Sequence, residues 1–162
     1  MKALILAAGS GKRLRSMTNG RNKCMLPFAG RPILQHSLEN AVRAGASELV
    51  ITVGYQADEI TAHFGTQFQG LAIWYVYQEQ PRGMVDAMAC SRSFIDGSDF
   101  LLFLGDEILQ NPRHQAMIDL FYTENLFAVC GVVYEDSLRE VQKTYGVLMD
   151  CDGRVQRLIE KP

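Results

Sequence analysis

Five short apolar runs, Ala3 to Ala8, Leu49 to Val53, Ile73 to Tyr77, Phe100 to Leu104 and Phe127 to Val133, alternate along the chain with segments of helical patterning. Nothing else in the sequence limits the fold as strongly. Each run is rich in β-branched or aromatic residues and bounded by turn formers, the signature of a buried strand. Between them, Pro32 to Ala44, Asp58 to Phe64, Met84 to Phe94 and Pro112 to Tyr122 carry apolar residues at helical spacing. Pro32 and Pro112 suit first-turn positions, and Gly45 and Gly65 suit helix ends. Strands that are apolar on both faces need cover on both faces, so the expectation is an α/β fold with helices on either side of a mostly parallel sheet. In such folds ligands lie beyond the carboxyl ends of the strands, and the loops there become the candidate site. Later, "YGVLMDCDGRVQRLIEKP" predicts two strands around an Asp152-Gly153 turn.

At 162 residues the length fits a single domain, residues 1–162, with a sizeable core. With 48% hydrophobic and 21% charged residues and a net charge of -2, the chain is neither disordered nor broadly basic, and nucleic acid is not an implied partner. The charge is unevenly placed, however. Lys2, Lys12, Arg13, Arg15, Arg21, Lys23 and Arg31 all precede the first acid, Glu39, which points to an anionic ligand near the N-terminus. Cys24, Cys90, Cys130 and Cys151 show neither CxxC nor metal-ligand spacing and read as reduced thiols of a cytoplasmic protein. The first apolar run is too short for a secretory signal, and no stretch approaches the roughly 20 apolar residues of a membrane helix. A membrane is therefore not an expected partner.

After the first strand comes Gly9-Ser10-Gly11. A dinucleotide fingerprint would need a third glycine where Leu14 stands and an acid about 20 residues on. A phosphate-binding P-loop would need glycine at Leu6 and a hydroxyl residue at Arg13. Both fail. What survives is a glycine-lined loop whose amides can approach a base or phosphates, followed by Arg13, which can grip phosphate oxygens in bidentate fashion, and by Lys23, a compact mobile charge. Together they suit a polyphosphate.

"LILAAGSGKRL", "NKCMLPFAGRPIL", "QEQPRGMVDAM", "FLLFLGDEI" and "YGVLMDCDGRVQRLIEKP" follow one another in the order and approximate spacing of the sugar-phosphate nucleotidyltransferases. The chain resembles that family along essentially its whole length, especially the glucose-1-phosphate thymidylyltransferase and uridylyltransferase branch. The resemblance implies a Rossmann-like three-layer αβα sandwich with a mostly parallel mixed sheet. It also implies condensation of a nucleoside triphosphate with a sugar 1-phosphate to give a nucleotide sugar and pyrophosphate. By the same resemblance Leu6, Ala8, Gly9, Ser10 and Gly11 wrap the nucleotide, Arg13 and Lys23 hold phosphates at the reacting centre, and Gln80 and Gly83 read the base. Asp106 is implied as a Mg²⁺ ligand, Gly146 and Glu160 as sugar contacts, and Lys161 as the contact to the sugar's phosphate. Family enzymes complete the metal site with a second aspartate further along, so the expectation is a C-terminally incomplete domain. The chain departs from the family at Cys24, where proline is usual, at Lys12, where a small hydroxyl residue is common, and at Met84, where threonine is frequent.

Chemistry supports these assignments independently. A sugar phosphate oxygen is already anionic near neutral pH, so the burden falls on gathering like-charged reactants rather than on a general base. Asp106 follows an apolar strand and can emerge at its carboxyl end, where hard oxygen ligation of Mg²⁺ is expected. Asn111, before Pro112, is the expected cap of the next helix, which would leave Asp106 free. The Gln80 amide complements the N–H and carbonyl edge of uracil or thymine, favouring UTP or dTTP. His36, His63 and His114 are expected to be packing or surface residues. Two other readings stand beside the enzyme: a catalytically weak nucleotide-binding module of the same descent, and transfer to a non-sugar phosphate such as phosphocholine. Homo-oligomerisation is compatible with the sequence.

Overall fold

The computed structural model describes residues 1–9, 11 and 20–160. Its chain divides into two compact units, Met1–Gln115 and Ala116–Pro162.

The first unit is built on a five-stranded sheet. Strands β1 (Lys2–Leu6), β4 (Leu49–Val53), β6 (Leu71–Tyr77) and β7 (Phe100–Leu104) run parallel, and the two-residue β5 (Gln67–Phe68) pairs antiparallel with β6 at one edge. The order is β5-β6-β4-β1-β7, so the chain first grows outward from β1 through β4 to β6 and then returns to the other side of β1 as β7. That reversal puts a topological switch point between β1 and β7, the place where open α/β sheets form a ligand crevice. Among the described residues between β1 and Ile33 lie a turn of 3-10 helix (Lys23–Met25) and a miniature hairpin of β2 (Pro27–Phe28) and β3 (Arg31–Pro32).

Helices α1 (Ile33–Arg43) and α2 (Ala57–Phe64) cover one face, while α3 (Met84–Cys90) and α4 (Arg92–Ile95) cover the other. The pleat sorts the side chains accordingly. Ala3, Ile5, Leu49, Ile51, Val53 and Ile73 join Leu34, Leu38, Ile60 and Phe64 in the larger core cluster. Leu4, Val50 and Val76 face the opposite way, toward Met88, Phe94 and Ile95. This is the three-layer arrangement expected. Polar atoms within it are paired: the buried Thr52 hydroxyl meets that of Ser91 at 2.8 Å, and the Ser37 hydroxyl donates to the Leu104 carbonyl at 2.9 Å, tying α1 to the end of β7.

The second unit contains most of α5 (His114–Thr123), then α6 (Leu138–Val141) and an antiparallel hairpin of β8 (Tyr145–Met149) and β9 (Val155–Glu160). The hairpin turns at Asp150, whose carboxylate accepts the backbone N–H groups of Asp152 and Arg154 at 3.0 and 2.8 Å. Two expectations are corrected here. Phe127 to Val133 forms no strand among the described residues. Its apolar residues satisfy the pattern, but a strand also needs a ladder of backbone partners, and Phe127 and Val133 are fully or nearly fully exposed instead. Helix α5 begins at His114, so Pro112 stands before its first turn, and Asn111 adopts a left-handed turn conformation (φ +49°) rather than capping the helix.

Candidate active site

The strand ends converge through close backbone approaches. The Gly105 N–H donates to the Leu6 carbonyl at 2.9 Å, and the Tyr55 N–H reaches the Ala8 carbonyl at 3.4 Å. A side chain at Gly54 would come within 3.1 Å of the carbonyl oxygens of both Ala8 and Gln78. The ends of β1, β4, β6 and β7 are thereby held in one rim, with Leu6 and Ala8 contributing backbone rather than side-chain chemistry.

Across this rim runs the side chain of Lys23. A Cβ on Gly9 would lie 3.1 Å from Lys23 Cε, and one on Gly11 would lie 3.3 Å from Lys23 Cβ. The glycines thus leave a channel for the lysine stem, and Gly11 also takes a left-handed φ of +58°. At the far end of that channel Lys23 Nζ forms an ion pair with Asp106 Oδ2. Asp106 is expected from the sequence to be spared helix capping, and the partner its carboxylate takes is the lysine. Asp106 remains about one-third exposed. Beside it, Glu107 has its pKa raised, first by burial and then by the charge of Asp106.

Asn22 was assigned no role from the sequence, yet it organises the segment that carries Lys23. It is fully buried. Its Nδ2 donates to the Tyr55 carbonyl at 2.6 Å and to the Ala7 carbonyl at 3.4 Å, while its Oδ1 accepts the Cys24 N–H at 2.8 Å. Glu59 on α2 accepts the Asn22 N–H at 3.0 Å through one oxygen and Arg21 Nε at 2.8 Å through the other. The Tyr55 hydroxyl donates to the Gly20 carbonyl at 3.1 Å. Only a side-chain amide followed by an N–H two residues later could have signalled the cap. The departure at Cys24 gains a physical reason too, since proline would lack the N–H that Asn22 uses. Burial, with a further push from Asp106, raises the Cys24 thiol to about 12.

The turn after β6 presents Gln80 and Gly83. Gln80 is exposed and its side-chain oxygen accepts from Arg82 Nη2 and Nε at 2.8 and 3.2 Å. Gly83, at φ +101°, starts α3. Behind them the buried Gln78 donates to Asp86 at 2.7 Å and to the Gly83 carbonyl at 3.3 Å, which fixes the turn. In the second unit Gly146 pairs with Ile159 in the hairpin, and Glu160 pairs with Tyr145. Ser10, Arg13 and Lys161 lie outside the described residues.

Among the described residues no group of three or more His, Cys, Asp or Glu gathers to hold a metal. Magnesium asks less of a protein: one or two carboxylates, with substrate phosphates and water completing the shell. A partly exposed carboxylate such as Asp106, at a strand's carboxyl end, fits that requirement.

The description "Nucleotidyl transferase" belongs to the family model that matches residues 2–162. The chain belongs to the nucleotidyl transferase family. A UTP–glucose-1-phosphate uridylyltransferase of Haloferax volcanii is 34% identical over 163 residues, covering 100% of this chain and 65% of its own. A glucose-1-phosphate thymidylyltransferase of Streptomyces griseus is 40% identical over 180 residues, covering 100% of this chain and 45% of its own. This nucleotidyl transferase chain thus spans between about half and two-thirds of the length of these relatives. The fold matches a crystal structure of UDP-glucose pyrophosphorylase complexed with UDP-glucose, with a TM-score of 0.85 at 24% identity over 99% of this chain and 68% of that one. It equally matches a putative glucose-1-phosphate thymidylyltransferase of Bacillus anthracis, with a TM-score of 0.85 at 20% identity over 100% of this chain and 65% of that one.

Proposed function

We propose that the protein is a sugar-1-phosphate nucleotidyltransferase that joins UTP or dTTP to a sugar 1-phosphate and releases pyrophosphate. The observation that carries this reading is the meeting of Lys23 and Asp106 over a glycine channel at the switch point between β1 and β7. The relatives named for uridylyl and thymidylyl transfer to glucose 1-phosphate support the substrate class.

In this reading an oxygen of the sugar phosphate attacks the α-phosphorus of the nucleotide, a new P–O bond forms, and the bond to pyrophosphate breaks. No proton needs removal from the nucleophile, so the protein's task is placement and charge neutralisation. The loop from Leu6 to Gly11 lines the nucleotide, Lys23 and Arg13 meet its phosphates, and Gln80 with Gly83 faces the base. Glu160 and Gly146 hold sugar hydroxyls and Lys161 the sugar's phosphate. Asp106 is the ligand for Mg²⁺, which when bound supplies positive charge to the phosphate oxygens. Before substrate arrives, the Lys23 and Asp106 charges neutralise each other. We further place the protein in the cytoplasm, in keeping with four free cysteines.

The test is pyrophosphate release with UTP, dTTP, CTP, GTP and ATP against a panel of sugar 1-phosphates, with and without Mg²⁺. Turnover with UTP or dTTP is expected. Absence of turnover with every pair would overturn the reading.

A further inference from the structure

We propose that Asn22, anchored by Glu59, is the positioning residue that aims Lys23 across the glycine channel. The inference rests on the functional reading for its consequence in turnover, but its structural content stands separately.

Lys23 sits on a 3-10 turn of only three residues, Lys23–Met25. So short a helix has almost no stiffness of its own, because nucleating a turn fixes several dihedrals for one hydrogen bond. Its orientation must come from outside. Asn22 supplies it by joining two strand-end segments to the turn through one side chain: Ala7 after β1, Tyr55 after β4, and the turn itself through Cys24 N–H. Both amide hydrogens and the amide oxygen are engaged, and the residue is fully buried. Glu59 then takes the Asn22 N–H and the Arg21 guanidinium on its two oxygens, which pins the approach to the turn against α2. The Lys23 stem consequently leaves the turn along Gly11 and Gly9 and ends at Asp106.

The amide is required for a chemical reason. Two carbonyl oxygens face Nδ2, so a carboxylate there would place like-charged acceptors together, and alanine would leave both carbonyls and the Cys24 N–H without their buried partner. Neither replacement touches Lys23 itself. Loss of Asn22 should therefore release the lysine from its course rather than remove its charge.

The experiment maps the rate of acetylation of each lysine by peptide mass spectrometry in the wild type, Asn22→Ala, Asn22→Asp and Glu59→Gln. Lys2, whose Nζ donates to the Phe94 carbonyl at 2.8 Å, reports general loosening of the fold, and Lys143 in the second unit is a second reference. The expected result is a several-fold rise at Lys23 in both Asn22 variants, a smaller rise in Glu59→Gln, and unchanged labelling of Lys2 and Lys143. Equal Lys23 labelling in all four proteins overturns the proposal, as does a parallel rise at Lys2. In the same proteins kcat for pyrophosphate release is expected to fall about 10²-fold in Asn22→Ala, the scale on which ångström misplacement costs turnover. Asn22→Ala is expected to add nothing further in a Lys23→Ala background. A full, additive loss in that background also overturns the proposal. An inactive wild type would count against the proposed function alone, since the labelling pattern decides the role of Asn22 without turnover.

Discussion

At the scale of single residues, the site is a pair of opposite charges, Lys23 and Asp106, that meet past the backbone of Gly9 and Gly11. Asp106→Asn keeps the side chain's size and removes its charge, so Mg²⁺-dependent turnover should fall to background while thermal unfolding stays near that of the wild type; full activity would overturn the metal assignment. Cys24 carries a second prediction. Its thiol is buried and pushed up to about 12, whereas Cys90, Cys130 and Cys151 are exposed. Since thiolate is the reactive form, a colorimetric disulfide reagent at pH 8 should titrate three thiols in the native protein and the fourth only after denaturation. Four rapid equivalents would contradict the burial of Cys24. His114 gives a pH dependence with a definite sign. Burial, and secondarily the Arg43 charge, lower its pKa, so the folded state disfavours the imidazolium. The unfolded chain takes up the proton near the ordinary value of about 6.5, and stability is lost as pH falls below that value toward the folded pKa. His114→Gln should flatten the difference in urea midpoint between pH 5.5 and pH 7.5, and an unchanged difference would assign the dependence to other groups.

At the scale of elements, what could be read from the sequence was whatever local patterning controls. The runs at Leu49 to Val53 and Phe100 to Leu104 coincide with β4 and β7, because a parallel strand needs little beyond apolar β-formers between turns. Phe127 to Val133 had the same composition and forms no described strand, since pairing partners leave no trace in the run itself. The candidate site divides in the same way. Asp106 could be named because it follows Gly105 at the end of β7, and Lys23 because it belongs to the basic residues behind the glycine loop and to a motif shared with the family. Asn22 could not, because its partners Tyr55 and Glu59 lie 33 and 37 residues away and are selected by packing of the strand ends. Those ends impose their own requirement at Gly105. An alanine Cβ there would lie 3.0 Å from the Leu6 carbonyl oxygen and 3.1 Å from Leu34 Cδ1. Backbone on one side and a buried core side chain on the other leave little room to yield, so Gly105→Ala should destabilise by about 1–3 kcal/mol. The urea midpoint measures this, and an unchanged midpoint would mean that β1 and β7 can separate at no cost.

At the scale of the whole molecule, the basic residues of the N-terminal segment that are described are paired with acids from later in the chain. Lys2 pairs with Glu48 at 3.4 Å, Arg21 with Glu59 at 2.8 Å, Arg31 with Glu39 at 2.7 Å, and Lys23 with Asp106. Four of the seven N-terminal cations are thus matched by acids from later in the chain, and in the proposed function the charge offered to a polyphosphate would come from Lys23, exchanging Asp106 for phosphate, together with Arg13. Exchange of one partner for another conserves most of the pairing, so nucleotide should bind without large reorganisation and should stabilise the fold by mass action. A ligand at 100 times its Kd adds about 2.7 kcal/mol to unfolding, which is readily visible as a rise in Tm. If Gln80 and Gly83 read the pyrimidine edge, UTP or dTTP with Mg²⁺ should raise Tm more than ATP or GTP at equal concentration, and Gln80→Ala should narrow that gap while leaving the shift by ATP unchanged. Equal shifts by all the triphosphates in the wild type would leave Lys23 and Arg13 as phosphate contacts but remove base reading from the turn after β6.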